Sequence, residues 1–225
     1  MRFVFPLLIG ILGTGILVSL GNWQMQRLAW KEAILAEING RLAAAPVAVP
    51  AMPDPENDRF LSVTATGNFV GPEIHVLVSA KSMGAAYRVI QAFDTDTGRR
   101  LLVDRGVIPT PNKAMPRLQT SDSIIANVHW PDERDGFTPD DDEAGNIWFS
   151  RDVTKMSATL GTEPFLLIVA KTDMAQPEVS PLPLDSSGIP NDHLGYAATW
   201  FGLAMVWAGM TGFWVWRMAR RPSEG

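Results

Sequence analysis

The sequence predicts an α+β membrane protein in which two transmembrane helices flank a mainly antiparallel β domain that faces outside and carries peripheral helices. Three observations predict it. The 225-residue chain is apolar and uncharged in one long run near each end. Between the runs, short stretches alternate apolar and small polar side chains and are bounded by turn residues. Arginines lie on the outer side of both runs, while the segment between them is acidic.

Phe3 to Leu20 is the first uncharged run, preceded by Arg2, and it reaches spanning length if it extends towards Trp23. Ser19-Leu20-Gly21 has the small residues of a signal-peptidase site. The next segment continues as a helix, which favours a retained span. Leu194 to Trp216 is the second run, and Arg217, Arg220 and Arg221 follow it. At about 1.5 Å per residue it crosses a hydrocarbon core of about 30 Å. Between the flanking charges stand 15 Lys/Arg against 23 Asp/Glu. Basic residues stay inside, so both termini are expected in the cytoplasm and the central domain outside. In a bacterial inner membrane that is the periplasm; in a mitochondrion it is the intermembrane side.

Trp23 to Leu42 reads as an amphipathic helix, with Trp30, Ile34, Ile38 and Leu42 at helical spacing. Pro46, Pro50, Pro53 and Pro55 then make an extended linker. Strands are expected at Arg59–Thr66, Ile74–Ser79, Tyr87–Phe93, Leu101–Ile108, Ile124–Trp130 and Phe165–Ala170. Asp94 to Gly98 is a hairpin turn. Val153 to Leu160 is a short helix stopped by Gly161. Short strands and tight turns imply an antiparallel sheet or a small barrel. The expected division is a first span over 3–22, a helical extension over 23–42, a β-rich domain over 58–176, a return loop over 177–192 and a second span over 193–216.

An acidic domain without a basic tract argues against nucleic acid, so none is expected as a partner. With no cysteine, thiol catalysis, thiolate metal sites and covalent c-type haem attachment are excluded. The histidines are His75, His129 and His193, and none has zinc-site spacing. No nucleophile elbow, phosphate loop or dinucleotide fingerprint occurs; a serine–lysine dyad, whose members can lie far apart in the chain, stays open, with nothing positive for it. His75 and His129 fall in expected strands and read as structural. Asp140-Asp141-Asp142-Glu143-Ala144-Gly145 begins like a calcium loop, but Ala144 and Arg151 stand at ligand positions, so it reads as a solvated loop. Gly13-Thr14-Gly15, and the small-residue spacing of Ala204, Ala208 and Gly212, favour close helix packing.

His193 stands at the mouth of the second span. On a helix it shares one face with Tyr196, Trp200, Ala204 and Trp207. Trp23, Gln24, Arg27, Trp30 and Lys31 share a third of the circumference of the first helix, and both spans leave the membrane on the same side. Two readings stand. In one, these residues anchor the helices at the headgroups and His193 ends its helix at the interface. In the other, they receive a haem, which needs an axial imidazole, a flat apolar wall and cations for its propionates. His193 would supply the first, Tyr196 and Trp200 the second, Arg27 and Lys31 the third.

Three motifs in this order resemble the surfeit locus protein 1 family, the cytochrome c oxidase assembly factors that include the yeast Shy proteins. Gly21-Asn22-Trp23-Gln24-Met25-Gln26-Arg27-Leu28-Ala29-Trp30-Lys31 is similar to the family's stretch after the first span. Leu101-Leu102-Val103-Asp104-Arg105-Gly106-Val107-Ile108-Pro109 is similar to its central LVNRGWVP element. Asp104 replaces the usual asparagine there and Val107 the usual tryptophan, which reads as local repacking. Asn191-Asp192-His193-Leu194-Gly195-Tyr196-Ala197-Ala198-Thr199-Trp200-Phe201-Gly202 is similar to HLxYAxTWxG at the start of the second span. Asn146-Ile147-Trp148 with Arg151-Asp152 is a weaker fourth match.

The resemblance implies a bacterial inner-membrane member that is not an enzyme. It would serve cytochrome c oxidase by binding haem a transiently and supporting its delivery or insertion into subunit I. It implies His193 as a ligand of the haem iron. Tyr196 and Trp200 would then face the macrocycle, with Trp23, Gln24, Arg27, Trp30 and Lys31 at the pocket's outer edge. Expected partners are oxidase subunit I, haem a synthase and other oxidase assembly factors, and the lipid membrane. The alternative is a haem-free membrane scaffold that stabilises subunit I during cofactor insertion.

Overall fold

A computed structural model describes residues 4–80, 83–117, 121–173 and 179–220. The expected start of the first span at Phe3, and residues 174–178 where the β domain was expected to give way to the return loop, lie outside the described residues. The chain forms two compact units, a terminal one (Met1–Glu37 with Ser186–Gly225) and a central one (Ile38–Asp185).

Helix α1 runs without a break from Val4 to Leu42. Pro6 falls in its first turn, where the missing N–H has no intrahelical partner to lose. The hydroxyls of Thr14 and Ser19 donate back to the carbonyls of Gly10 (2.7 Å) and Gly15 (2.8 Å), which satisfies them within the helix. Helix α3 spans His193–Ala219. Both are long and apolar enough to cross a membrane. Most of their large apolar side chains, such as Leu12, Ile16, Met205 and Phe213, project outward and exposed. In water that would be costly; in hydrocarbon it costs nothing.

The central unit is built on six strands: β1 (Val47–Ala48), β2 (Ser62–Ala80), β3 (Gly84–Thr95), β4 (Arg100–Pro109), β5 (Ser121–His129) and β6 (Leu166–Thr172). The order is β1-β2-β3-β4-β6-β5, and β5 pairs back onto β2, so five strands close a barrel with β1 added outside it. The β4–β6 and β1–β2 pairs are parallel and the other four antiparallel. The expected small, mainly antiparallel sheet is therefore a closed one.

The strands expected at Arg59–Thr66 and Ile74–Ser79 are one strand, β2. Its register slips between Val70 and Glu73. Gly71 (φ +70°) and Pro72 carry turn chemistry, but here they form a bulge, after which the ladder with β3 resumes.

The barrel interior holds Val63, Phe69, Phe93, Leu101, Val103, Ile124, Val128 and Leu167 among its buried side chains. Opposite faces of the same strands carry Ile74, Ile90, Leu102, Leu166 and Ile168, which pack with Trp148 and with Val153, Met156 and Leu160 of helix α2 (Val153–Leu160). Each such side chain contributes on the order of 1.5–3 kcal/mol by leaving water. Residues 101–108 of β4 are buried without alternation because both faces are covered. Helix α2 begins where the Asp152 carboxylate accepts the Lys155 N–H (3.0 Å) and ends at Gly161 in the left-handed region, φ +66°.

Candidate functional site

Every residue singled out as a site candidate lies in the terminal unit. Its two helices run antiparallel and meet along glycines. A Cβ at Gly10 would lie 2.8 Å from Oγ1 of Thr211, one at Gly13 2.7 Å from Cε2 of Trp207, and one at Gly21 2.6 Å from the Phe201 ring. Buried residues on the seam are Gly10, Gly21 and Gln24 of α1 and Ala197 and Ala204 of α3. On α3 the contacts and buried positions are His193, Ala197, Phe201, Ala204, Trp207 and Thr211, at steps of three or four residues. Such mixed steps keep one stripe facing a partner helix. The stripe expected from Ala204, Ala208 and Gly212 does not form, since Ala208 and Gly212 are exposed. Repeated steps of four drift by about 40° each and leave the seam. Of Gly13 and Gly15, the first meets α3 and the second faces open space.

At the end of the seam His193 meets Gln24, with Nδ1 2.8 Å from Oε1. Gln24 is 8 % exposed, and a buried amide is tolerable because it is hydrogen-bonded. His193 is the first residue of α3 and half-buried. An amide oxygen can only accept, so Nδ1 is the donor in this contact and Nε2 is the nitrogen left facing away from it. Among the described residues nothing hydrogen-bonds to Nε2.

Helical geometry places the other candidates. Phe201 and Gly21, which touch, are displaced to one side of the seam. At about 100° per residue Tyr196 is displaced in the opposite sense on α3, as are Arg27 and Lys31 on α1. In an antiparallel pair these three therefore project to one common side, next to His193. Tyr196 is 58 % exposed there, and Trp200 is half-buried at its inner edge. The Arg27 guanidinium stacks 3.9 Å from the Trp30 ring centroid, which orients an exposed cation. Trp23 and Trp30 are about half exposed and further round α1. The structure thus joins Gln24 to His193 and Arg27 to Trp30. Among the described residues no hydrogen bond or ring contact joins Trp23, Lys31, Tyr196 or Trp200 to another candidate. Sequence reasoning did not single out Gly21 and Phe201 as a pair. The signal was present in a glycine one turn before Gln24, but only the antiparallel register names its partner.

The other two histidines serve the central unit. His75 lies 3.0 Å from Glu73 Oε2 through Nε2 and 3.3 Å from the Asn146 amide through Nδ1. Glu73 also accepts from Arg117 Nε (2.9 and 2.7 Å), with Arg105 3.5 Å away. Burial would raise the Glu73 pKa, but the His75 and Arg117 hydrogen bonds and the Arg117 and Arg105 charges outweigh it and hold it at about 2. His129 stacks on Phe60, and burial followed by the charges of Arg151 and Arg59 lowers its pKa to about 4. Asp104 is fully buried, 2.5 Å from Arg88 and 3.7 Å from Arg151, and accepts the Gly106 N–H at 3.0 Å. Asparagine would keep that last bond; the charge is answered by two arginines. Within the acidic loop Asp141 is not solvated as expected: its carboxylate is 1 % exposed and meets Arg134 (2.7 Å), Lys155 (3.0 Å) and the Phe149 N–H (3.0 Å). No group of residues able to hold a bare metal ion occurs among the described residues.

Two helices long and apolar enough to cross a membrane, flanking a five-stranded barrel in the chain, define an α+β membrane protein. The model of the SURF1 family matches residues 11–205. Surfeit locus protein 1 of Homo sapiens is 30% identical over 173 residues, covering 66% of this chain and 57% of the human protein. The SURF1-like proteins of Rickettsia bellii (strain RML369-C) and Rickettsia felis (strain ATCC VR-1525 / URRWXCal2) are 33% and 31% identical over 172 residues, 73% of this chain and 70% and 75% of theirs. The chain belongs to the SURF1 family. It spans a little over half the length of the vertebrate relatives it matches, 57% of the human and 56% of the rat protein.

Proposed function

We propose that this protein is an assembly factor for haem-copper cytochrome c oxidase, which binds haem a as cargo and supports its delivery to subunit I. One observation carries the reading: His193, its ring held by Gln24 at the edge of an apolar helix pair, has no hydrogen bond to Nε2 among the described residues. The donor chemistry fits a haem. Imidazole nitrogen suits iron, Tyr196 and Trp200 offer apolar faces, and Arg27 and Lys31 project to the same side to receive carboxylate tails. The family membership supports it as well.

The iron would supply one coordination bond, and the chain's own residues do the rest. His193 presents the donor. Gln24 holds its ring. Tyr196 and Trp200 exclude water from the macrocycle's face. A single imidazole suits a carrier, because the receiving site can outcompete one ligand. For the compartment, the arginines beyond both spans and the acidic central unit support termini in the cytoplasm and a barrel in the periplasm of a bacterial inner membrane. Oxidase subunit I is the recipient, haem a synthase and further assembly factors are neighbours, and no step here needs a catalytic residue.

The test is the visible spectrum of detergent-purified protein co-expressed with haem a synthase, beside His193→Ala. A haem a spectrum that the substitution abolishes supports the reading. Undiminished haem in His193→Ala refutes the ligand. No haem in either, in protein that still captures subunit I, replaces the carrier by a haem-free scaffold.

A further inference from the structure

Gln24 is a buried amide on a seam made mostly of glycine and apolar side chains; the Thr211 hydroxyl there is satisfied within its own helix by the Trp207 carbonyl (2.8 Å). Burying its amide beside hydrocarbon costs free energy unless a partner compensates. The partner in the structure is His193 Nδ1, 2.8 Å from Oε1. The contact has a chemical consequence beyond packing. It settles which of the two ring nitrogens carries the proton. It also stops rotation of a ring at the first position of a helix, where no preceding turn confines it.

We propose that Gln24 is a positioning residue for His193: it holds the imidazole as the Nδ1–H tautomer and aims Nε2 at the side where Tyr196, Arg27 and Lys31 project. The inference rests on reading His193 as the haem ligand, and it adds what makes that ligand competent. A ring nitrogen that gives its proton to a fixed acceptor makes the opposite nitrogen a better-oriented and more basic donor. A neutral amide strengthens the donor less than a carboxylate would. The iron–nitrogen bond is therefore directed and remains releasable, which a carrier requires.

The test needs two readouts, one of them independent of haem. In full-length protein labelled with 15N-histidine in detergent, nitrogen chemical shifts report the tautomer, and His193→Ala assigns the signal. Nδ1 is expected to carry the proton in the unmodified protein, and Gln24→Leu to lose that preference. With haem a added, Gln24→Leu is expected to bind about tenfold more weakly, the usual effect of removing such a partner. Gln24→Glu keeps an acceptor of the same reach and is expected to make the reduction potential of the bound haem more negative, a shift that a packing role alone does not produce. This variant also keeps the series readable if Gln24→Leu does not fold. A proton on Nε2 in the unmodified protein overturns the proposal. So does an unchanged tautomer in Gln24→Leu, or equal potentials in Gln24→Glu and the unmodified protein. Haem retained by His193→Ala sinks the ligand reading instead, while the haem-free spectra still decide what Gln24 does to the ring.

Discussion

Replacing Gly106 by alanine tests whether the segment after β6 is fastened to the barrel by the bridge between Val107 and Ser180. Gly106 has φ +127°, where an L side chain is strained by about 1–3 kcal/mol. Its Cβ would lie 2.7 Å from Pro181 Cα and closer still to the Ser180 carbonyl oxygen, both backbone atoms. The segment would have to move, and with it go the bonds from Val107 N–H to Ser180 O (2.8 Å) and from Ser180 N–H to Val107 O (2.9 Å). At about 1 kcal/mol net each, the total is about 3–5 kcal/mol. For a domain of this size, that lowers Tm by on the order of 10 °C. Gly98→Ala is the internal control: φ is +82° and nothing stands within 4 Å, so it should cost the strain alone, about 1–2 kcal/mol. Thermal unfolding of the full chain in detergent measures both variants, and amide exchange at Val107 and Ser180 localises the effect. Equal melting of the two variants, or unchanged exchange at both amides, would refute the reasoning.

Glu73→Gln removes the carboxylate that answers Arg117, whose side chain is 3 % exposed. An uncompensated buried charge costs about 3–5 kcal/mol, to be read by urea unfolding. Because the Glu73 pKa is depressed to about 2, its stabilisation is complete above the ordinary value of 4.5 and is lost as pH falls towards 2. His129 is a base whose folded pKa is lowered from 6.5 to about 4. The unfolded chain therefore binds the proton first, and stability falls as pH drops through that window. His129→Gln should flatten that limb of the stability–pH curve, and an unaltered limb would assign the dependence elsewhere. Gly21→Val pushes the Phe201 ring, 2.6 Å from the added Cβ, out of the seam one turn from Gln24. It is expected to weaken haem retention without lowering the barrel's Tm, which the haem spectrum and circular dichroism separate. Asp152→Ala deletes the cap of α2 and should cost about 1 kcal/mol in thermal unfolding.

The elements fixed by local chemistry were legible in the sequence. Helix α2 ends at its left-handed glycine, as read from Gly161, while its capping aspartate, Asp152, was not singled out as a cap. The uncharged runs became two helices because length and composition alone decide that. What failed depends on partners distant in the chain. Gly71-Pro72 has turn chemistry, and only pairing with β3 turns it into a bulge. Asp141 is charged and follows a solvated-looking run, yet Arg134 and Lys155 draw it inward. The small-residue stripe was drawn at steps of four, whereas two helices in contact mix steps of three and four. Of the candidate residues, Gln24 and His193 are 169 positions apart. Their shared helical faces were legible, but their hydrogen bond requires the antiparallel register.

That register has a mechanical side. Two apolar helices in lipid have little to stop them sliding along one another, since hydrocarbon wets every position equally well. Here the recesses at Gly10, Gly13 and Gly21 are unevenly spaced, and Thr211, Trp207 and Phe201 fit them like the bits of a key in its wards. A slip by one turn, about 5.4 Å, would drive the Phe201 ring from Gly21 against Leu17 and Val18 in one direction or Gln24 and Met25 in the other. The teeth that forbid sliding also set the height at which the imidazole comes to rest.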